Sequence, residues 1–110
     1  MNIRPETLPL SKIQDEMLDN AGEACSFLKS LTHETRLLIL CHLMDREYSV
    51  TELEEALGLR QPAVSQQLAR LRSDELVNTR RDGKTIYYSL ASDEVRRMIG
   101  LLYEMFCKTK

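Results

Sequence analysis

Gln66 would lie on the outward side of a helix, flanked by Ser65 and Arg70, with Gln61 one turn ahead of Ser65. Their chemistry suits nucleic-acid bases: glutamine pairs bidentately with adenine, arginine reaches guanine or phosphate, and the small Ser65 and Ala69 allow close approach. Arg80, Arg81, Lys84 and Tyr87 gather around Asp82-Gly83, where cations can grip phosphates or enter a minor groove. The other reactive groups are the thiols of Cys25, Cys41 and Cys107, too few and too widely spaced for a disulfide framework or a CxxC zinc site. A polar helix face can also meet only water, and a charged turn is often merely solvated. The elements that carry these residues decide between the readings.

The stretch 51–71 describes two short helices joined by a tight turn. Leu53, Ala56 and Leu57 make one inward face, and Thr51 stands before Glu54 as in a capping box. Gly58 permits the left-handed turn that ends the first helix, and Pro62 suits the first turn of the second. Val64, Leu68 and Leu71 form that helix's inward stripe and leave Gln66, Ala69 and Ser73 opposite. This is a helix-turn-helix whose second helix can lie in a major groove. After residue 75 the period shortens to that of strands, with two β-rich runs flanking Asp82-Gly83, and a hairpin directly after a helix-turn-helix is a wing.

Earlier in the chain, residues 1–14, with Pro5 and Pro9, read as a mobile arm, and residues 15–110 as one domain. Met17, Leu18, Ala21, Ala24, Cys25 and Leu28 predict a first helix over 15–30. Thr32 is placed to cap a second, in which Leu37, Leu40, Cys41 and Met44 form a buried stripe ending near residues 45–48. A last helix over 93–107 carries Val95, Met98, Ile99, Leu102, Met105 and Phe106. The fold expected is mainly α with a β-hairpin wing. So small a domain does not easily cover the apolar surface of its first and last helices, which predicts a symmetric homodimer built on them.

With 43% hydrophobic and 29% charged residues the chain is an ordinary globular mixture. No apolar run approaches membrane-spanning length, and the amino terminus lacks a signal-peptide core, so the expected location is the cytoplasm without membrane contact. A net charge of −2 argues against DNA only until it is divided by segment. Residues 1–59 hold five Lys/Arg against eleven Asp/Glu, whereas 60–88 hold six against three. The positive surplus coincides with the candidate reading stretch.

The segments LTHETRLLIL (31–40), LRQPAVSQQLARLR (59–72) and ELVNTRRDGKTIYYSL (75–90), with the apolar last helix, resemble the ArsR/SmtB family of small dimeric winged-helix repressors. One departure is Glu75, where the family usually places glycine. The resemblance implies double-stranded operator DNA as partner, no enzymatic activity and no resident cofactor. Family members sensing arsenic, cadmium or lead carry Cys-x-Cys where this chain has Ser49 and Thr51, and hydroxyls are not soft ligands. The zinc and nickel positions fall on Ser92, Glu94, Met105 and Lys108, so that site is missing too, and His33 and His42 lie outside it.

Cys41 and Cys107 match the two positions of the family's thiol-based, persulfide-sensing branch. By that resemblance a low-molecular-weight persulfide, or another oxidant, joins the two thiols and releases DNA, switching on sulfide-detoxifying genes. The residues themselves leave alternatives open. Lys108 and Lys110 favour a Cys107 thiolate, while the helix C-terminus opposes it. A cysteine on a buried stripe is commonly a small core hydrophobe, and Cys25 is best read so. A metalloid sensor using all three sulfurs, a general oxidant sensor, a protein-binding winged helix and a thiol peroxidase are the competing readings, the last without a supporting constellation in the sequence.

Overall fold

In the computed structural model, which describes residues 10–108, the elements run α1 (Leu10–Ser30), α2 (Glu34–Asp45), β1 (Tyr48–Ser49), α3 (Val50–Leu57), α4 (Gln61–Ser73), β2 (Val77–Asp82), β3 (Thr85–Leu90) and α5 (Asp93–Tyr103). A π-helical turn, Glu104–Lys108, follows α5. The expected arm of residues 1–14 falls largely outside the described residues, and residues 10–14 belong to α1. No helix among the described residues is long and apolar enough to cross a membrane.

Ile39, Leu40 and Leu43 of α2, Leu53 of α3, Val64, Leu68 and Leu71 of α4, and Val95 and Ile99 of α5 form one buried core. On α2 the buried line is therefore rotated from the expected one, leaving Leu37 and Met44 partly buried and Cys41 exposed. Ala56 is exposed as well, and α3 packs through Leu53 and Leu57. Thr32 does not cap α2: its hydroxyl turns back to donate to the Lys29 carbonyl at 2.8 Å and closes α1 instead. His33 takes the N-cap position without a side-chain bond.

The capping box of α3 is Ser49 with Glu52 rather than Thr51 with Glu54. Glu52 N–H donates to Ser49 Oγ at 3.2 Å, and Ser49 N–H donates to Glu52 Oε1 at 2.9 Å. Pairing of β1 with β3 holds Ser49 extended at the point where α3 begins, which selects the earlier of the two S/T-x-x-E patterns. Gly58 ends α3 at φ 67°, its N–H donating to the Glu54 carbonyl at 2.8 Å.

The sheet has the order β1-β3-β2 and is antiparallel throughout. Asp82 pairs with Thr85, so the wing turns on Gly83-Lys84, one residue beyond the expected Asp82-Gly83. Gly83 takes the positive φ of 64° that the first position of such a turn can require.

At the end of α4, Leu76 N–H donates to the Leu71 carbonyl at 2.9 Å and Glu75 N–H to the Arg72 carbonyl at 3.0 Å. This is a Schellman cap with Glu75 in the left-handed position, at φ 62°, and Leu76 and Leu71 buried together beneath it. A side chain there carries strain of about 1–2 kcal/mol. Glu75→Gly is expected to stabilise the fold by about 1 kcal/mol, part of the relief being offset by glycine's freer unfolded chain. Chemical denaturation checks this, and a Glu75→Gly protein no more stable than the parent would show that the left-handed residue is not strained.

Candidate nucleic-acid interface

Helix α4 starts beside the Gly58 turn, with Pro62 in its first turn where a missing N–H costs no helical bond. Burial of Val64, Leu68 and Leu71 forces the opposite side outward. Gln61, Gln66, Ala69 and Arg70 are exposed, and Ser65 is partly so. Gln61 Nε2 donates to Ser65 Oγ at 2.6 Å. Arg70 Nε stands 3.5 Å from Asp74 Oδ2, which also accepts from Ser30 Oγ at 2.9 Å. Gln67, one residue from the exposed face, accepts from Arg36 Nε of α2 at 3.0 Å. The recognition helix is thus tied at its flank to α2 and at its end to the close of α1.

The four wing residues divide into two kinds. Arg81 and Lys84 lie exposed near the tip and form no ion pair among the described residues. Arg80 is already engaged: its Nε lies 3.2 and 3.1 Å from Glu47 Oε1 and Oε2, and its Nη2 lies 2.9 Å from Oε1. Its guanidinium also sits 4.8 Å from the centre of the Tyr87 ring. The Arg80 hydrogen bond and charge hold the Glu47 carboxyl below the usual carboxylate range, and Glu47 in turn raises Arg80. Glu47 is the residue that sequence reasoning missed. It lies in the turn before β1, 33 positions from its partner, and no local pattern connects the two.

All three cysteines are exposed. Cys41, with Met44, Asp45, Ile99 and Tyr103, lines a shallow groove between α2 and α5. Although the residue is exposed overall, partial burial on that side pushes its thiol up, and the charge of nearby Cys107 pushes it further. Cys107 lies in the π-helical turn after α5. Among the described residues of the single chain no group of three or more His, Cys, Asp or Glu side chains is placed to hold a metal ion.

The raised Cys41 thiol gives a sign to its reactivity. Only the thiolate attacks, so alkylation of Cys41 by iodoacetamide in the reduced protein is expected to lag behind that of a cysteine in an unstructured peptide through the ordinary thiol range. The gap should close as pH rises past the raised value. Peptide-resolved mass spectrometry across pH reads this directly, and a Cys41 that outpaces the peptide near neutrality would contradict it.

A helix held by its inner face, an outward row of polar side chains and a basic hairpin alongside it define a winged helix-turn-helix, the architecture of a DNA-binding transcriptional regulator. Residues 33–79 match the model described as bacterial regulatory protein, arsR family. The chain is 50% identical over 93 residues to the transcriptional activator HlyU of Vibrio cholerae, covering 84% of this chain and 86% of that one. It therefore belongs to the ArsR family. The solved structure of reduced HlyU from Vibrio cholerae superimposes with a TM-score of 0.79, covering 84% of this chain and 97% of that one. The transcriptional repressor BigR of Xylella fastidiosa, 40% identical, does so with a TM-score of 0.80, covering 86% and 96%.

Proposed function

We propose that the protein is a cytoplasmic homodimeric repressor that holds operator DNA while Cys41 and Cys107 are reduced and releases it when they are bridged. The observation that supports this reading is the placement of Cys41 in the groove between α2 and α5 and of Cys107 in the turn that directly follows α5. The similar HlyU structure from Vibrio cholerae is that of a reduced protein, which supports a thiol-dependent reading. Met17, Leu18 and Leu28 of α1 and Leu101, Tyr103, Met105 and Phe106 at the end of the chain are exposed apolar side chains that a second copy would cover. Two recognition helices then address a pseudo-palindromic site, with Gln61, Ser65, Gln66 and Arg70 at the bases and nearby phosphates, and the wing beside them.

The inducer proposed is a low-molecular-weight persulfide. Attack of the Cys107 thiolate on its outer sulfur gives a cysteine persulfide and releases the carrier thiol. Cys41, persulfidated in the same way by a second molecule, attacks the inner sulfur of the Cys107 persulfide through its own outer sulfur and displaces hydrogen sulfide, which leaves one extra sulfur between the two cysteine sulfurs. The bridge ties α2 to the end of α5 and acts by favouring an arrangement in which the recognition helices no longer match their half-sites.

Intact and tryptic mass spectrometry of the reduced protein after glutathione persulfide or hydrogen peroxide, with DNA binding measured on the same samples, tests the reading. A Cys41 to Cys107 crosslink with extra sulfur and weakened binding is the expected result. A plain disulfide and release with peroxide alone would make it a general oxidant sensor. No crosslink with either reagent would remove the switch and return attention to a metalloid ligand.

A further inference from the structure

The neutral pairing of Arg80 is at odds with a role as one more phosphate contact. Arg80 lies on β2 and Glu47 just ahead of β1, on opposite sides of the middle strand β3. The guanidinium crosses β3 over the ring of Tyr87, its direct cross-strand partner, to reach both carboxylate oxygens. Arg80 and Tyr87 share the sheet face opposite that of the partly buried Ile86, Tyr88 and Leu90. A bidentate arginine and carboxylate pair stacked on a ring is the geometry in which both side chains are most narrowly fixed. To reach a phosphate, Arg80 would have to leave an unpaired carboxylate beside the DNA backbone, so the net gain in neutralised charge would be near zero.

We propose that Glu47 and Arg80 form a strap over Tyr87 that sets the angle of the wing against the corner between α2 and β1, and that phosphate neutralisation by the wing falls to Arg81 and Lys84. Glu47 and Arg80 are then positioning residues, and Tyr87 is the bed of the strap rather than a DNA contact. This rests on the wing meeting DNA, and the test separates failure of the strap from failure of that premise.

The test is the salt dependence of binding to a labelled mixed-sequence DNA duplex, because the slope of log affinity against log salt counts neutralised phosphates whatever the sequence. Arg81→Ala and Lys84→Ala should each lower the slope by about 0.9 per subunit. The double variant Glu47→Gln, Arg80→Gln removes one charge of each sign, and its slope should equal that of the parent, with any loss of affinity parallel at all salt concentrations. A slope lowered in the double variant by about the same amount as in Arg81→Ala would overturn the strap. If Arg81→Ala and Lys84→Ala also leave the slope unchanged, the wing does not meet phosphate and the premise falls with the proposal. The parent protein supplies a second reading that needs no variant: the Arg80 Nε–H resonance should keep its position when DNA is added. Its displacement to a phosphate-bound position overturns the proposal.

Discussion

Replacing Cys107 with serine is expected to leave the affinity of the reduced protein for DNA within about twofold, since an exposed substitution away from the core moves free energy by roughly 0.5 kcal/mol or less. The same substitution should abolish the loss of binding on exposure to glutathione persulfide. Serine keeps the size of cysteine but offers no thiolate, so no bridge to Cys41 can form. Cys41→Ser should behave alike, because a bridge needs both ends. Cys25→Ser should switch like the parent, since the proposed bridge joins α2 to the end of α5 and Cys25 lies on α1. Binding curves before and after persulfide treatment decide the matter. Release by either the Cys41 or the Cys107 variant would place the sensor elsewhere, and loss of binding in the reduced variant would make that cysteine structural.

Leu68→Ala should have the largest effect on stability. Leu68 lies at 0% exposure on the inner face of α4, among Leu53 of α3, Ile39 and Leu40 of α2 and the other core residues. Truncation of a fully buried leucine costs about 2–5 kcal/mol through lost transfer free energy and the cavity left behind. Against a total of roughly 5–15 kcal/mol this lowers the melting temperature by on the order of 10 °C or more. The comparison must be made at one protein concentration, because association of subunits contributes to apparent stability. A shift in the urea midpoint with unchanged slope is the expected signature, and a loss below about 1 kcal/mol would mean that α4 does not seat on this residue.

How far these features can be read without coordinates varies with how local their causes are. The two helices of the reading unit follow from Gly58, Pro62 and the spacing of Val64, Leu68 and Leu71, all signals within one or two turns. The wing follows from alternation around a glycine, although the exact turn residues shift by one because the register belongs to both strands together. β1 is not legible: two residues become a strand only by pairing with β3, some forty positions away. Helix α2 is apolar on so much of its surface that LLILCHLM permits two stripes, and packing against α4 and α5 selects the one that turns Cys41 outward. The basic surplus over residues 60–88 is visible by counting, but counting does not reveal that Arg80 has already found Glu47.

Under the proposed reading, in which Gln61 meets a base, the short bond between Gln61 and Ser65 bears on how sharply the recognition helix can discriminate. A free glutamine on a surface samples many rotamers, and freezing it against a base edge forfeits up to roughly 1.5–2 kcal/mol of conformational entropy. Gln61 gives up part of that freedom when the protein folds, so less remains to be lost on meeting DNA. With one amide hydrogen committed to Ser65, its second hydrogen and its carbonyl oxygen remain, the donor and acceptor that adenine's N7 and N6 amino group call for. A side chain held in this way is also poor at improvising: on an incorrect base it cannot swing to a substitute partner, and the mismatch keeps its full penalty.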